Sequence, residues 1–202
     1  MDDTTWGTDF VEWRERAFAP PAPREVKLAT IMRHYIPGSS WIETGTYLAE
    51  TTAAMAEIAP RVYSIEPKPA FVEAARAQFA EQAHVEIIEG ISETELPALL
   101  SRVSDNKLSF WLDGHWSMGN TFLGPKISPI VDELHAIDQY LARLDRVCIA
   151  IDDIRCFDQT DGGFPGLEWL ADWASKRDLS WIIEHDIFIA KSRDLPWIPG
   201  AV

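Results

Sequence analysis

The stretch WIETGTYLAETT, residues 41–52, decides the fold. Two apolar residues run into an acid, Glu43; Gly45 follows, and the chain then takes on helical composition. This is the pattern of a buried strand, a tight turn and a helix N-terminus. The free N–H groups of such a terminus can meet a carboxylate or phosphate, and a glycine in the turn lets backbone approach a ligand closely. Against the fingerprint G-x-G-x-x-G only Gly45 is present; Tyr47 and Ala49 stand where other small residues are expected.

The same rhythm continues outward from this junction. Apolar runs at Trp41 to Glu43, Val62 to Ile65, Val85 to Ile88, Leu108 to Leu112 and Val147 to Ile151 predict five strands. Amphipathic segments between them predict helices near Leu48 to Ile58, Ala70 to Gln82, Glu93 to Val103 and Pro129 to Leu144, with a further helix from Leu167 to Lys176. Ile130, Leu134, Ile137, Leu141 and Leu144 form one stripe at helical spacing, and Ser92 with Glu95 reads as a capping box. Strands alternating with helices predict an α/β, Rossmann-like doubly wound sheet. The chain then departs from that rhythm: Trp181-Ile182-Ile183 and Ile187-Phe188-Ile189 flank a short polar turn, predicting a C-terminal antiparallel hairpin.

Before Ser40 the pattern is different. Trp6, Phe10, Trp13 and Phe18 recur at roughly helical spacing until Pro20, Pro21 and Pro23; a second helical stretch runs from Glu25 to His34. Residues 1–39 are therefore expected to form a helical leader that caps the core, covers a site or makes a homodimer contact, and 40–202 the α/β domain.

Composition narrows the function. The net charge of −14, from 18 Lys+Arg against 32 Asp+Glu, repels phosphate backbones and argues against a nucleic-acid partner. Two cysteines cannot build a disulfide framework, and Cys148 in RVCIAID reads as a small core residue. The acidic N-terminus has no signal-peptide pattern, and no apolar run is long enough to span a bilayer. These features predict a cytoplasmic protein with no membrane partner.

Chemistry is expected at the strand ends. Glu66 closes VYSIEP about 20 residues after Gly45, the spacing of a carboxylate that binds a ribose diol. Asp113 ends SFWLDGH, and Asp152-Asp153 end CIAIDD. Acids at neighbouring strand ends open onto one crevice and repel unless protonated or bridged by a cation, and oxygen ligands suit Mg²⁺. His115, two residues past Asp113, is the candidate general base. His135 and His185 are expected to be solvated. The loops Trp116 to Pro129 and Arg155 to Gly166, with Phe157 and Phe164 in the second, are expected to wall the crevice.

ETGTYLAETT, YSIEP, VEIIEGIS, FWLDGHWS and IAIDD, in that order, resemble the successive strand ends of class I S-adenosylmethionine-dependent methyltransferases over Ser40 to Lys191. DGHWSMGNT resembles the loop of a bacterial group of such proteins. The resemblance implies that Glu43, Gly45, Thr46 and Tyr47 lie near the methionine part of S-adenosylmethionine and that Glu66 binds its ribose. Ile91 stands where these enzymes often carry an adenine-binding acid, leaving Ser92 as the substitute. Asp113 belongs with both cofactor and catalytic residues. The acids also resemble those of metal-dependent O-methyltransferases, implying Mg²⁺ on Asp113, Asp152 and Asp153. The expected reaction is methyl transfer to an oxygen or nitrogen of a small-molecule acceptor. Alternatives are a catalytically degenerate binding protein on the same fold, a nicotinamide-dependent oxidoreductase, and a metal-dependent hydroxylase using Fe²⁺.

Overall fold

The computed structural model describes residues 8–114, 126–157 and 163–198. The chain opens with α1 (Thr8–Glu15) and α2 (Arg24–His34). Strand and helix then alternate through β1 (Ser40–Thr44), α3 (Glu50–Ala56), β2 (Val62–Glu66), α4 (Pro69–Gln78), β3 (Val85–Glu89), α5 (Ser92–Arg102) and β4 (Lys107–Leu112). The last third holds α6 (Ile130–Leu141), β5 (Arg146–Ile151), a 3₁₀ turn (Ile154–Cys156), α7 (Leu167–Lys176), β6 (Leu179–Glu184) and β7 (Ile187–Ser192).

One sheet runs in the order β3-β2-β1-β4-β5-β7-β6. β1 to β5 pair in parallel, whereas β7 pairs antiparallel with both β5 and β6. The expected doubly wound sheet with an antiparallel C-terminal pair is therefore the fold observed. β1, β2, β4, β5 and β7 are buried along nearly their whole length because both faces are covered, whereas the edge strands β3 and β6 alternate buried and more exposed positions. Ile42, Phe110, Leu112, Ile149, Ile151 and Phe188 point to one side, into a core shared with Leu96 and Leu99 of α5, Leu134 and Ile137 of α6, and Leu170 of α7. Trp41, Trp111, Cys148, Ala150 and Ile189 point to the other, against Ile31 of α2, Met55 of α3 and Val72 of α4. Among the described residues no helix is long and apolar enough to cross a membrane.

Two local expectations are corrected. The helix after β1 begins at Glu50 rather than Leu48, because Tyr47 (φ +46°) and Ala49 (φ +59°) take left-handed conformations that a helix cannot accommodate. The Ser92–Glu95 capping box is not formed. Ser92 is the first helical residue of α5, the cap position falls on Ile91 without a side-chain cap, and the Glu95 side chain instead folds over Gly90. The hairpin closes through His185 (φ +51°) and Asp186 (φ +69°), the paired positive values that a type I′ turn requires.

Candidate functional site

The sheet's hydrogen-bond ladder runs one residue past the strands at their carboxyl edge. Gly45 N–H donates to Ile65 O (2.9 Å), Asp113 N–H to Thr44 O (3.1 Å) and Asp152 N–H to Leu112 O (3.1 Å). Gly45, Asp113 and Asp152 are thereby fixed along one edge, the position where doubly wound sheets bind ligands. A cavity of about 260 Å³ lies between this edge and α2, lined by Lys27, Glu43, Gly45, Tyr47, Asp113 and Asp152 among others.

The turn after β1 contains the clearest local signal. Positive φ values fall at alternate positions, Gly45 (+88°), Tyr47 (+46°) and Ala49 (+59°). The backbone thus follows a glycine-x-glycine-x-glycine path that the sequence shows at only one position. Gly45 is also required by space. A Cβ there would lie 2.4 Å from the Asp113 carbonyl oxygen, so the glycine is required by the close approach of the β4 strand end. Gly45→Ala is expected to destabilise the fold by about 2 kcal/mol and to displace Asp113; a urea titration that shows no change would mean the turn relaxes freely.

Glu43 is fully buried at the end of β1. Its Oε2 accepts the hydroxyls of Thr52 (2.5 Å) and Ser64 (2.9 Å). Burial pushes its carboxyl up to about 7; the two hydroxyls pull the other way and the Glu66 charge adds to the rise. Thr46 shares this network through Ser64 (2.6 Å), so its hydroxyl faces inward. Glu66 ends β2, where its two oxygens accept the N–H groups of Tyr47 and Lys68, each at 2.9 Å. The Tyr47 ring lies edge-on to Phe71, with centroids 4.9 Å apart. Glu66 and Ser92 lie beyond the lining of the cavity, toward β2 and β3.

The largest departure from expectation concerns Asp152 and Asp153. The cation between them is a side chain. Lys27 Nζ of α2 lies 2.6 Å and 2.8 Å from the two Asp152 oxygens and 2.7 Å from Asp153 Oδ1. Arg155 Nη1 adds a contact of 2.5 Å to Asp153 and pairs with Asp186. Burial, with the Asp153 charge, pushes the Asp152 carboxyl up against the pull of Lys27; burial also pulls the Lys27 ammonium down, but the two carboxylates together hold it above its ordinary value. The expected Mg²⁺ on Asp113, Asp152 and Asp153 is not supported. Among the described residues no group of three His, Cys, Asp or Glu side chains could hold a metal ion. Sequence reading foresaw the need for a cation but missed Lys27, which is 125 residues away in the leader.

His115 lies outside the described residues, as does most of the loop after it. Phe157 is buried in the core, with Phe164 at 5.1 Å, and the two line a small cavity beside Gly114 and Asp152; residues 158–162 of that loop lie outside the described residues. His185 is not a solvated turn residue either, since its Nδ1 lies 2.8 Å from Thr30 Oγ1 and its ring packs edge-on to Trp13. His135 is exposed, as expected. Cys148 is a core residue as expected, its thiol pushed up to about 12 by burial.

The strand order, with its reversed last pair, is the fold of class I methyltransferases. Solved structures share it. Precorrin-6y C5,15-methyltransferase of Geobacter metallireducens matches with a TM-score of 0.53 at 12% identity, over 93% of this chain and 98% of that one. A Streptococcus mutans protein assigned as a methyltransferase and solved with S-adenosylhomocysteine gives 0.51 at 15% identity, over 84% and 97%. An rRNA methylase of Streptococcus thermophilus gives 0.50 at 14% identity, over 86% and 97%. At these identities the likeness is one of fold. No protein-family model and no curated sequence matches the chain.

Proposed function

We propose that this chain is an S-adenosylmethionine-dependent methyltransferase acting on an oxygen or nitrogen of a small molecule. The observation that carries the proposal is the β1 turn, whose three alternating positive φ values follow a buried acid on the first strand of this sheet. The residues present fit the cofactor. Glu66 stands at the end of the neighbouring strand, where each of its oxygens keeps a lone pair beyond the backbone N–H it already accepts. Glu43, Asp113 and Asp152 line the cavity together with Arg24 and Lys27, a mixed set suited to a ligand end that carries both an ammonium and a carboxylate. When bound, the cofactor supplies an activated methyl group, so the chain's task is to hold donor and acceptor in line and exclude water. The backbone of Gly45 to Leu48 and the Glu66 carboxylate bind, Asp113 orients, and the Lys27 ion pair fixes the β5 end of the site. His115 remains the sequence's candidate for removing the acceptor's proton. The net charge of −14 favours a small molecule over RNA as acceptor.

Calorimetric titration with S-adenosylhomocysteine tests this reading. Micromolar or tighter binding is expected, and Glu66→Ala should weaken it about 10- to 100-fold through loss of hydrogen bonds to a charged group. The degenerate binding-protein reading has one observation in its favour: both Glu66 oxygens are already engaged, one of them by a tyrosine at a glycine-like position. No binding by the unaltered protein would move that reading ahead.

A further inference from the structure

A second cavity, of about 470 Å³, borders the first; Ala22 lines both. Its volume falls in the range of small-molecule sites. Three of its walls are the rings of Phe10, Trp13 and Phe18, and Trp13 is central, with Phe10 and Phe18 edge-on at 5.9 Å and 5.0 Å. His185 lines it too, its ring edge-on to Trp13 at 5.6 Å. The cavity opens at the same sheet edge as the first, because the β6–β7 turn is tied to the end of β5. Ile154 N–H donates to Asp186 O (3.0 Å) and Arg155 N–H to Asp186 Oδ1 (2.9 Å).

His185 supplies the polar contact. The Thr30 hydroxyl has one hydrogen, and Val26 O accepts it at 2.7 Å. The contact of 2.8 Å between Thr30 Oγ1 and His185 Nδ1 must then use a hydrogen on the imidazole. The other ring nitrogen, Nε2, is left as an acceptor, and among the described residues it has no partner. Burial, with the Arg33 charge, holds the ring's pKa below its ordinary value despite the pull of Glu184, which keeps this acceptor form at neutral pH. The acid on the wall, Asp186, is paired with Arg155, so the cavity offers no uncompensated charge from that side. A flat neutral body carrying one hydrogen-bond donor matches this lining. The turn itself points the same way: a type I′ turn favours Asn-Gly, yet here it keeps His and Asp.

We propose that this cavity binds the methyl acceptor, an aromatic molecule bearing a hydroxyl or amine, with its polar hydrogen received by His185 Nε2. The word acceptor rests on the methyltransferase reading; the binding does not. ¹⁹F relaxation with 4-fluorophenol and fluorobenzene as probes tests it, alongside a separate S-adenosylhomocysteine titration. The unaltered protein is expected to bind 4-fluorophenol about tenfold more tightly than fluorobenzene, the worth of one hydrogen bond. His185→Phe keeps a ring against Trp13 and should erase that preference, whereas Phe18→Ala, at a half-exposed wall position, should weaken both probes alike. Equal affinity for the two probes, or no response to either substitution in variants with unchanged thermal unfolding, overturns the proposal. S-adenosylhomocysteine binding without 4-fluorophenol binding overturns it while leaving the cofactor reading intact. The reverse result removes the acceptor role and leaves an aromatic binding site.

Discussion

Lys27→Met is expected to cost about 3 kcal/mol of folding stability at about pH 8, and far less at about pH 5.5. Lys27 holds two carboxylates at the sheet edge, and both are almost inaccessible to water. Removing one partner of a buried ion pair strands the other, a loss typically of about 3–5 kcal/mol. The lower end applies because Asp153 keeps Arg155, while among the described residues Asp152 retains the Asp153 N–H at 2.8 Å. The pH dependence follows from the direction of the Asp152 shift. Its carboxyl is already raised by burial, and removing Lys27 raises it further. A carboxyl with a raised folded pKa binds its proton more tightly in the native state. Stability is then full below the unfolded value and falls as pH rises toward the folded one. Urea titrations at the two pH values measure the difference. A small, pH-independent loss would show that the pair behaves as a surface salt bridge.

That ion pair also marks where sequence reading stops. Strand positions were legible because burial on both faces leaves continuous apolar runs such as CIAI and SFWL, each ended by an acid. The hairpin was legible because two apolar runs flank a polar turn. The acids were legible as positions, but their partners were not. Lys27 comes from the leader, 125 residues before Asp152, and nothing in its local sequence separates it from a solvated lysine. The adjacent acids Asp152-Asp153 do require a cation, and a side chain serves where the sequence points to a metal. Thr30 and His185 are likewise 155 residues apart, so a histidine in a polar turn looked solvated.

The β1 turn shows a different limit. A glycine advertises positive φ, whereas tyrosine and alanine conceal it. Tyr47 and Ala49 weakened the sequence fingerprint, although the backbone passes through left-handed values at both. Tyr47 is half-exposed and rests on Phe71, while Ala49 is buried. The packing around them holds a conformation that neither residue prefers, and local propensity cannot report that.

Glu43→Gln is expected to remove a pH dependence of about 3 kcal/mol. The buried carboxyl is raised from 4.5 to about 7, and each pH step of one corresponds to about 1.4 kcal/mol. In the unaltered protein the native state therefore holds a proton between these values that the unfolded chain has lost. Its contribution to stability is complete below about pH 4.5 and disappears as pH rises through about 7. Glutamine keeps an acceptor oxygen for Thr52 and Ser64 but does not titrate, so the variant's stability should be flatter across that window and should exceed the unaltered protein's at about pH 8. Parallel stability curves for the two proteins would mean that Glu43 ionises normally. The same group is expected to couple binding to protons. Glu43 lines the cavity beneath α2, and any cation taken in there lowers the carboxyl's pKa. Binding of S-adenosylhomocysteine with its ammonium, rather than its carboxylate, toward Glu43 should then release a proton near neutral pH. Calorimetry in buffers of different ionisation enthalpy reads this directly, and Glu43→Gln should abolish the buffer dependence while retaining the binding heat.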